Sequence, residues 1–252
     1  TAGPMKFDVV DVLALDASQG TPEPGAGKSG TVTATCSKDH RDRSEVYRYT
    51  VLAGSNGGGG WTDGGEGVSR FVRPDGVAVI GSDTFVTDSG AHVIRRISSD
   101  GVVSTWAGSP GRRGTNDGVR TTARFDSPAG LLALPDGSLL VADRGNFVIR
   151  HISPDGTVTT WAGNGDPGNR DGKLLSSQFV EPTALALEPS GDILITDQGT
   201  CTLRRVSDGR ITKIAVMAFT CGVQDGLITS ALFDGMEALM SHPTLGIIIS
   251  DH

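Results

Sequence analysis

Regularly spaced aspartates are the residues of this sequence whose chemistry most needs an explanation. The first series stands in Asp-Gly pairs at steps of 54 residues: Asp63, Asp117, Asp171 and Asp225. The second series recurs at steps of 54 or 55 residues: Asp88, Asp143, Asp197 and Asp251. A ring of carboxylates could hold calcium, which prefers oxygen ligands. One calcium site needs only one or two copies, whereas every repeat carries both residues. We therefore predict structural carboxylates that accept backbone N–H bonds in turns, no cofactor and no metal ligands, with calcium as the alternative.

Groups suited to catalysis are scarce. The five histidines do not show the spacing of a metal-binding pair. The sequence also lacks a Gly-x-Ser-x-Gly nucleophile motif. We assign no catalytic residue, and the sequence favours a protein without enzymatic activity.

The aspartates belong to a longer repeat. A phenylalanine stands eight residues after each Asp-Gly aspartate: Phe71, Phe125, Phe179 and Phe233. An apolar-basic tetrad follows three of the second-series aspartates: Ile94–Ile97, Ile149–Ile152 and Leu203–Val206. We expect the phenylalanines to pack between neighbouring repeats. The arginine in the second position of each tetrad is predicted to form an ion pair or hydrogen bond between repeats.

Each repeat divides into four short strands. In one repeat, residues 130–134, 138–143, 148–152 and 157–161 are apolar segments separated by turns, two of which read Pro-Asp-Gly. The 36 glycines and 12 prolines of the 252-residue chain suit such turns and exclude a helix bundle. Four antiparallel strands in a repeat of this length are the signature of a β-propeller blade.

The repeat resembles that of the NHL-repeat propeller family. The pattern reads Ala-Gly … Asp-Gly … Phe … Pro-x-Gly-Leu … Pro-x-Gly-x-Leu-Leu-Val-Ala-Asp-x-x-Asn-x-x-Ile-Arg-x-Ile, and Leu139–Ile152 and Phe85–Ile97 match it best. The third repeat departs from it, because Cys201 replaces an aromatic residue or histidine and Ala215 replaces the closing tryptophan. The resemblance covers residues 51–252. It implies a propeller, commonly of six blades, and it implies no particular chemistry.

We therefore predict an all-β chain that forms one propeller domain of four-stranded antiparallel blades. Residues 1–54 are interpreted as a divergent N-terminal blade with a Gly/Pro-rich insertion, and residues 55–252 as NHL-like blades. The predicted blades span about 71–108, 125–163, 179–217 and 233–252, the last of them incomplete. About four and a half blades are then present, and we expect further sequence to complete the ring.

Charge and hydropathy restrict the partners. The formal net charge of −7 makes a nucleic-acid partner unlikely on electrostatic grounds. The longest apolar run, Leu245–Ile249, is far shorter than the ~20 residues of a membrane-spanning helix, so no membrane insertion is expected. Four arginines between residues 112 and 124 form a local basic patch in one loop. Oligomeric state stays open.

Candidate binding residues are sought where the repeats differ. In a propeller blade, the loop that enters the first strand and the turn between the second and third strands share one rim, and exposed loops on a rigid scaffold often bind partners. The long loops 55–70, 109–124, 164–178 and 218–232 are expected there. The candidate binding residues are Arg73, Ser89, His92, Arg112, Arg113, Arg144, Phe147, Glu181 and Gln198.

The cysteines allow one disulfide. Cys201 and Cys221 are expected at the same rim, so that a disulfide between them is geometrically reasonable, and two buried thiols are the alternative. Such a bond would indicate an extracellular or secretory compartment. Localisation is otherwise undetermined by the sequence.

The sequence as a whole favours a non-catalytic propeller that acts as a protein-interaction scaffold through the rim of long loops. A metal-dependent propeller enzyme of the lyase or lactonase type, working in the central channel, is the first alternative. An RNA-binding NHL domain is the second, and the net charge argues against it.

Overall fold

The computed structural model describes residues 29–33, 46–50, 53–54, 60–65, 67–215, 235–242 and 246–250. The chain divides into two compact units, Thr1–Leu52 and Ala53–His252. Within the first unit, β1 (Ser29–Thr33) and β2 (Val46–Thr50) pair as an antiparallel two-stranded sheet. The predicted positions Cys221, Asp225, Phe233 and Asp251 lie outside the described residues.

The second unit is built from antiparallel sheets. In the first sheet, the order is β3-β4-β5-β6. Its strands are β3 (Pro74–Ile80), β4 (Asp83–Asp88), β5 (Val93–Ile97) and β6 (Val103–Gly108). In the second sheet, the order is β7-β11-β10-β9-β8. Its strands are β7 (Gly118–Val119), β8 (Pro128–Ala133), β9 (Leu139–Asp143), β10 (Val148–Ile152) and β11 (Thr157–Ala162).

The third sheet repeats the second, with the order β12-β16-β15-β14-β13. Its strands are β12 (Gly172–Lys173), β13 (Pro182–Leu187), β14 (Ile193–Asp197), β15 (Thr202–Ser207) and β16 (Arg210–Ala215). The last sheet pairs β17 (Ala238–His242) with β18 (Gly246–Ser250). Three short 3₁₀ turns, Arg144–Asn146, Leu174–Ser176 and Gln198–Thr200, are the helical elements of the described residues. We call the four long strands of each complete sheet a to d in chain order.

The hydrophobic core lies between consecutive sheets. Phe125 is fully buried among Phe85 and Ile94 of the first sheet and Val141 and Ile152 of the second. Phe179 is fully buried in the same way between the second and third sheets. The a strands β3, β8, β13 and β17 contact one another in that order. Successive sheets that pack face to face, with their first strands adjacent at the centre, form a β-propeller.

The a strands approach one another closely because glycine stands at their contact. A Cβ atom on Gly76 would lie 2.4 Å from the carbonyl oxygen of Ala129, and one on Gly130 would lie 2.3 Å from that of Thr183. These distances leave no room for a side chain, since the obstructing atoms belong to the backbone of the next sheet. The inner ends of the first three sheets are therefore held at backbone contact.

The long loops take a different path from the one expected. The first half of loop 109–124 does lie against the rim, because the Gly111 N–H donates to the Ala91 carbonyl and Asn146 Nδ2 donates to the Gly114 carbonyl. The second half leaves that rim and adds β7 to the outer edge of the second sheet, where Gly118 pairs with Val158. The second and third sheets thus gain a short fifth strand, β7 and β12, that the four-strand prediction omitted.

Candidate interaction rim

A buried arginine lies at the centre of each complete sheet. Arg150 on strand c has a fully buried side chain, and its guanidinium reaches two aspartates. Nη1 lies 2.9 Å from Asp143 Oδ2, and Nη2 lies 2.6 Å from Asp117 Oδ1. The same two nitrogens also donate to the backbone carbonyls of Arg124 and Asn116, at 2.9 and 3.0 Å. One side chain therefore connects strands b and c with both ends of the loop segment that carries β7.

The aspartate at the end of strand b organises the start of strand a. Asp143 is completely buried and accepts hydrogen bonds from the Asp126 backbone N–H at 2.7 Å and from Asn146 Nδ2 at 2.8 Å. Together with Arg150, these partners are all donors, so that they stabilise the ionised carboxylate. Burial nevertheless raises the pKa of Asp143 to about 6, which leaves it ionised at pH 7. Burial also raises the pKa of Asp197 in the third sheet.

The Asp-Gly aspartate closes the outer edge of the sheet. Asp117 is about half exposed, and its second oxygen accepts the backbone N–H of Thr160 on strand d at 3.1 Å. Asp171 accepts the backbone N–H of Lys213 in the same way at 3.0 Å. The two aspartate series thus have distinct structural functions: one is buried and fixes strand a, and the other is at the surface and fixes the edge.

The same network recurs in the other two complete sheets. Arg95 pairs with Asp88 and Asp63, at 3.4 and 2.7 Å. Arg204 pairs with Asp197 and Asp171, at 3.8 and 2.7 Å. These ion pairs lie within one sheet and the loop that leads into it, so the expectation that the tetrad arginines pair between repeats was wrong. The sheets contact one another through apolar side chains and through other polar groups, such as the Thr87 hydroxyl, which donates to the Ala129 carbonyl.

Each guanidinium also lies over an aromatic ring. The arginine Cζ atoms are 4.9, 5.3 and 4.7 Å from the ring centroids of Phe71, Phe125 and Phe179. The Nε atoms of all three arginines are buried without a hydrogen-bond partner. A cation over a ring face is attracted by the ring quadrupole, which offsets part of the cost of that unpaired donor. Phe71, Phe125 and Phe179 therefore cover the arginines, and Phe125 and Phe179 also pack between sheets.

The candidate binding residues lie on the rim above this network, with different exposures. Arg73, Arg112, Arg113 and Glu181 are exposed, and His92, Arg144, Phe147 and Gln198 are half-buried, whereas Ser89 is buried. His92, Phe147 and Cys201 share a backbone function, because each ends the turn between strands b and c with a positive φ of 51 to 60°. We call this surface the turn rim; it comprises the turns 89–92, 144–147 and 198–201 with residues 73, 127 and 181.

Two carboxylates on the turn rim were missed by the sequence analysis. Asp75 Oδ2 lies 3.6 Å from Arg73 Nη2 and 3.8 Å from Arg144 Nη2. Asp126 lies 3.4 Å from His92 Nδ1 and 3.9 Å from Arg113 Nη1. Asp75 could have been found as a departure from the repeat, since Ala and Thr occupy that position in the next two sheets.

The basic patch predicted in loop 109–124 does not form as one surface. Arg112 and Arg113 are exposed beside the turn rim, while Arg124 donates to the carbonyls of Thr121 and Ala123. Arg120 lies over the Trp106 ring, 5.6 Å from its centroid. The patch therefore contributes two arginines to the rim rather than four.

The described residues also bear on metal binding, on the predicted disulfide and on membrane insertion. In the part of the chain that the structure describes, no three His, Cys, Asp or Glu residues are grouped so that they could hold a metal ion. Cys201 is disulfide-bonded. Its expected partner Cys221 is outside the described residues, so the pairing stays a prediction. None of the helices described here is long and apolar enough to cross a membrane.

Replacing a buried arginine by lysine should be far more harmful than the same change at its exposed neighbour. Arg95→Lys keeps the charge but loses the fork that reaches four oxygens, so we expect the free energy of unfolding to fall by about 3 kcal/mol. Arg96 is the next residue of the same strand, is 40% exposed and pairs with Asp83 alone. Arg96→Lys should change stability by less than about 1 kcal/mol in urea unfolding. Equal losses in the two variants would contradict the network.

The buried carboxylate should give stability a characteristic dependence on pH. Because the folded state raises the pKa of Asp143 from 3.8 to about 6, the folded protein binds this proton more tightly than the unfolded chain. Its contribution to the free energy of unfolding therefore falls, by up to about 3 kcal/mol, as the pH rises from 4 to 6. Asp143→Asn should abolish that fall in urea titrations at successive pH values.

A second variant tests the direction in which stability changes with pH. Hydrogen bonds from Ser138 lower the pKa of Asp136, so its contribution is lost as the pH falls through the folded pKa. Asp136→Asn should remove a contribution that increases with pH, opposite to the effect of Asp143→Asn. Stability curves in which Asp143→Asn keeps the wild-type slope between pH 4 and 6 would refute the assignment.

Comparison with known proteins finds relatives with NHL repeats. No protein-family model matches the sequence. The chain is 32% identical to human NHL repeat-containing protein 2 over 140 residues. The aligned region covers 49% of this chain and 19% of that protein. It is 28% identical over 181 residues to Protein SUPPRESSOR OF QUENCHING 1, chloroplastic, of Arabidopsis thaliana, covering 64% of this chain and 17% of that protein. The chain thus spans less than a third of the length of these curated relatives.

Solved structures agree on the fold. A gluconolactonase from Xanthomonas campestris, XC5397, superposes with a TM-score of 0.51 at 14% identity, covering 82% of this chain and 66% of the other. An auxiliary nutrient binding protein from Bacteroides thetaiotaomicron gives a TM-score of 0.50 at 21% identity, covering 68% of this chain and 40% of the other. Identities this low support the fold alone. The repeat, the sheets and the named relatives together support an NHL-repeat β-propeller.

Proposed function

We propose that this propeller is a non-catalytic binding module that recognises a protein partner through the turn rim. The observation that carries the proposal is a contrast within each repeat. The buried aspartate, arginine and phenylalanine keep the same contacts in all three complete sheets. The rim positions directly above them differ in residue type from sheet to sheet.

The differences are large in charge and size. The residue that enters strand a is Arg73, Ser127 or Glu181, and the residue after the strand b aspartate is Ser89, Arg144 or Gln198. A rigid scaffold with dissimilar side chains at equivalent rim positions is typical of a recognition surface, because recognition depends on a particular pattern of groups rather than on their repetition.

Relatives and structural neighbours leave the activity open. One neighbour is named as a gluconolactonase and another as a nutrient binding protein, so this fold hosts both catalysis and binding. A metal-dependent reaction in the central channel would need a set of metal ligands, and RNA binding would need an extended basic surface. Neither is favoured by an observation on the described residues, and RNA binding is an outcome that the following experiment can detect.

Site-specific photo-crosslinking tests the rim directly. A benzophenone side chain at Glu181 or Arg112, both exposed on or beside the turn rim, should capture a saturable protein species from an extract of the source cells. The matched control places the same group at Pro154 or Ser190, which are exposed in turns at the other ends of the strands. We expect capture from the rim positions and at least fivefold less from the controls, because a partner held at one rim lies beyond the reach of the other.

Other results of the same experiment would contradict the proposal. Capture only from Pro154 and Ser190 would place the binding surface on the opposite rim and contradict the proposal. Capture of RNA instead of protein would favour the nucleic-acid alternative. Point positions are used because deleting the whole loop 109–124 would also remove Asp117 and the Asn116 carbonyl from Arg150, and would therefore test folding rather than binding.

A further inference from the structure

We propose that the turn rim at the junction of the first and second sheets binds an acidic peptide segment of the partner, an inference that rests on the function proposed above. The surface concerned comprises Arg73, Arg113 and Arg144 with Asp75 and Asp126 between them. We call it the arginine strip. It is the part of the described rim where cationic side chains from two blades meet.

The strip is continuous across the junction. Asp75, which begins strand a of the first sheet, contacts Arg73 of its own sheet and Arg144 of the second sheet through the same oxygen, Oδ2. Next to Arg144, the Gly145 backbone N–H donates to the Asp126 carbonyl at 2.8 Å. Asp126 in turn lies near Arg113, at 3.9 Å. Arg73 and Arg144 therefore share one carboxylate, and Arg113 lies near Asp126, whose backbone is bonded to the turn that carries Arg144.

The arginines of the strip still have unused donors. Their distances of 3.6 to 3.9 Å to the aspartates are ion contacts that are too long for hydrogen bonds. Arg113 and Arg144 donate no hydrogen bond to any described residue, and Arg73 uses Nε alone, which donates to Ser89 Oγ at 2.8 Å. A guanidinium presents five N–H donors in a planar fork that matches a carboxylate. A ligand carboxylate can therefore form hydrogen bonds that the aspartates of the strip do not.

Charge selects the class of partner. Three arginines and two aspartates give the strip a net charge of +1, on a chain whose formal net charge is −7. A short acidic segment is attracted by the strip and is little affected by more distant charges, because salt screens them beyond about 8 Å. A nucleic-acid backbone carries a phosphate at every nucleotide and would also have to pass Asp75 and Asp126. The alternating charges therefore favour a peptide, whose carboxylates can stand opposite the arginines alone.

The strip is held in place before any ligand binds. Gly145 packs so closely that a Cβ atom there would lie 2.7 Å from Asp126 Cγ. The turn that carries Arg144 is therefore seated directly against the start of strand a, and the Arg144 side chain is only 22% exposed. Ser89 fixes Arg73 from below, since its hydroxyl also donates to the Arg73 carbonyl at 2.9 Å. Preorganised donors lose less entropy on binding.

The third sheet offers a natural control. At the junction of the second and third sheets, Ser127 stands at the position of Arg73, and Gln198 stands at the position of Arg144. The equivalent junction thus carries no pair of arginines, although its backbone has the same turn. Gln198→Glu lowers the net charge of the protein by one, in the same direction as Arg144→Glu, which lowers it by two, at a place where the proposal predicts no contact.

Fluorescence anisotropy with labelled probes tests the proposal. The probes are a peptide of about 12 residues that alternates Glu and Gly, the same peptide with Gln for Glu, and an oligouridylate of about six nucleotides. The wild-type chain should bind the Glu peptide more tightly than the other two. The double variant Arg73→Glu/Arg144→Glu should weaken that affinity at least tenfold, and Gln198→Glu should change it less than twofold. Circular dichroism verifies that each variant is folded.

The outcomes separate this proposal from the rim function. If the wild-type chain does not bind the Glu peptide, or if Gln198→Glu weakens it as much as the double variant does, the arginine strip is not an acidic-peptide site. Tighter binding of oligouridylate through the same arginines would also overturn it. If rim crosslinking to a protein persists in the double variant, the partner binds elsewhere on the rim and the function proposed above stands. If crosslinking favours the opposite rim, that function fails as well.

Discussion

A buried guanidinium has to be neutralised and hydrogen-bonded, and each complete blade of this propeller is arranged around that requirement. Moving an unpaired charge into a protein interior costs several kcal/mol, so the arginine on strand c determines what lies around it. A buried aspartate at the end of strand b and a surface aspartate on the incoming loop supply the opposite charge. Two backbone carbonyls accept the remaining hydrogen bonds of Nη1 and Nη2, and a phenylalanine ring covers the cation. The 54-residue period is therefore the repetition of one electrostatic unit.

For function, the consequence is that buried positions hold the backbone while neighbouring rim positions are free to vary. The network fixes the start of strand a through Asp143 and the outer edge of the sheet through Asp117. The backbone of the turn rim is thereby held at both ends, and its side chains can vary without loss of the fold. The arginine strip shows this freedom, since Arg73 and Arg144 have a serine and a glutamine as counterparts one blade further on. A surface that is rigid in its backbone and variable in its side chains is well suited to selecting one partner.

The sequence predicts the fold of this chain well because its repeat is long and internally consistent. The spacing of the aspartates, phenylalanines and tetrads identifies the blades, and alternation of turns with apolar segments identifies the strands. The partners of the arginines were not predictable, because Asp117 and Arg150 are 33 residues apart and their contact depends on β7 joining the outer edge. Pattern analysis likewise treated Ser89 as exposed and passed over Asp75 and Asp126, since burial and contacts between blades follow from packing and leave only a weak local signal.

Native-state hydrogen exchange tests most directly whether the buried arginine holds the loop and rim to its blade. In Arg150→Met, the charge and fork are lost while the hydrophobic bulk is kept. We expect amides in 113–126 and 144–147 to lose protection by about tenfold or more relative to the wild-type chain, and those in 182–197, which depend on Arg204, to keep theirs. Unchanged protection in 113–126, or an equal loss across all three blades, would contradict the central claim that each arginine organises its own blade.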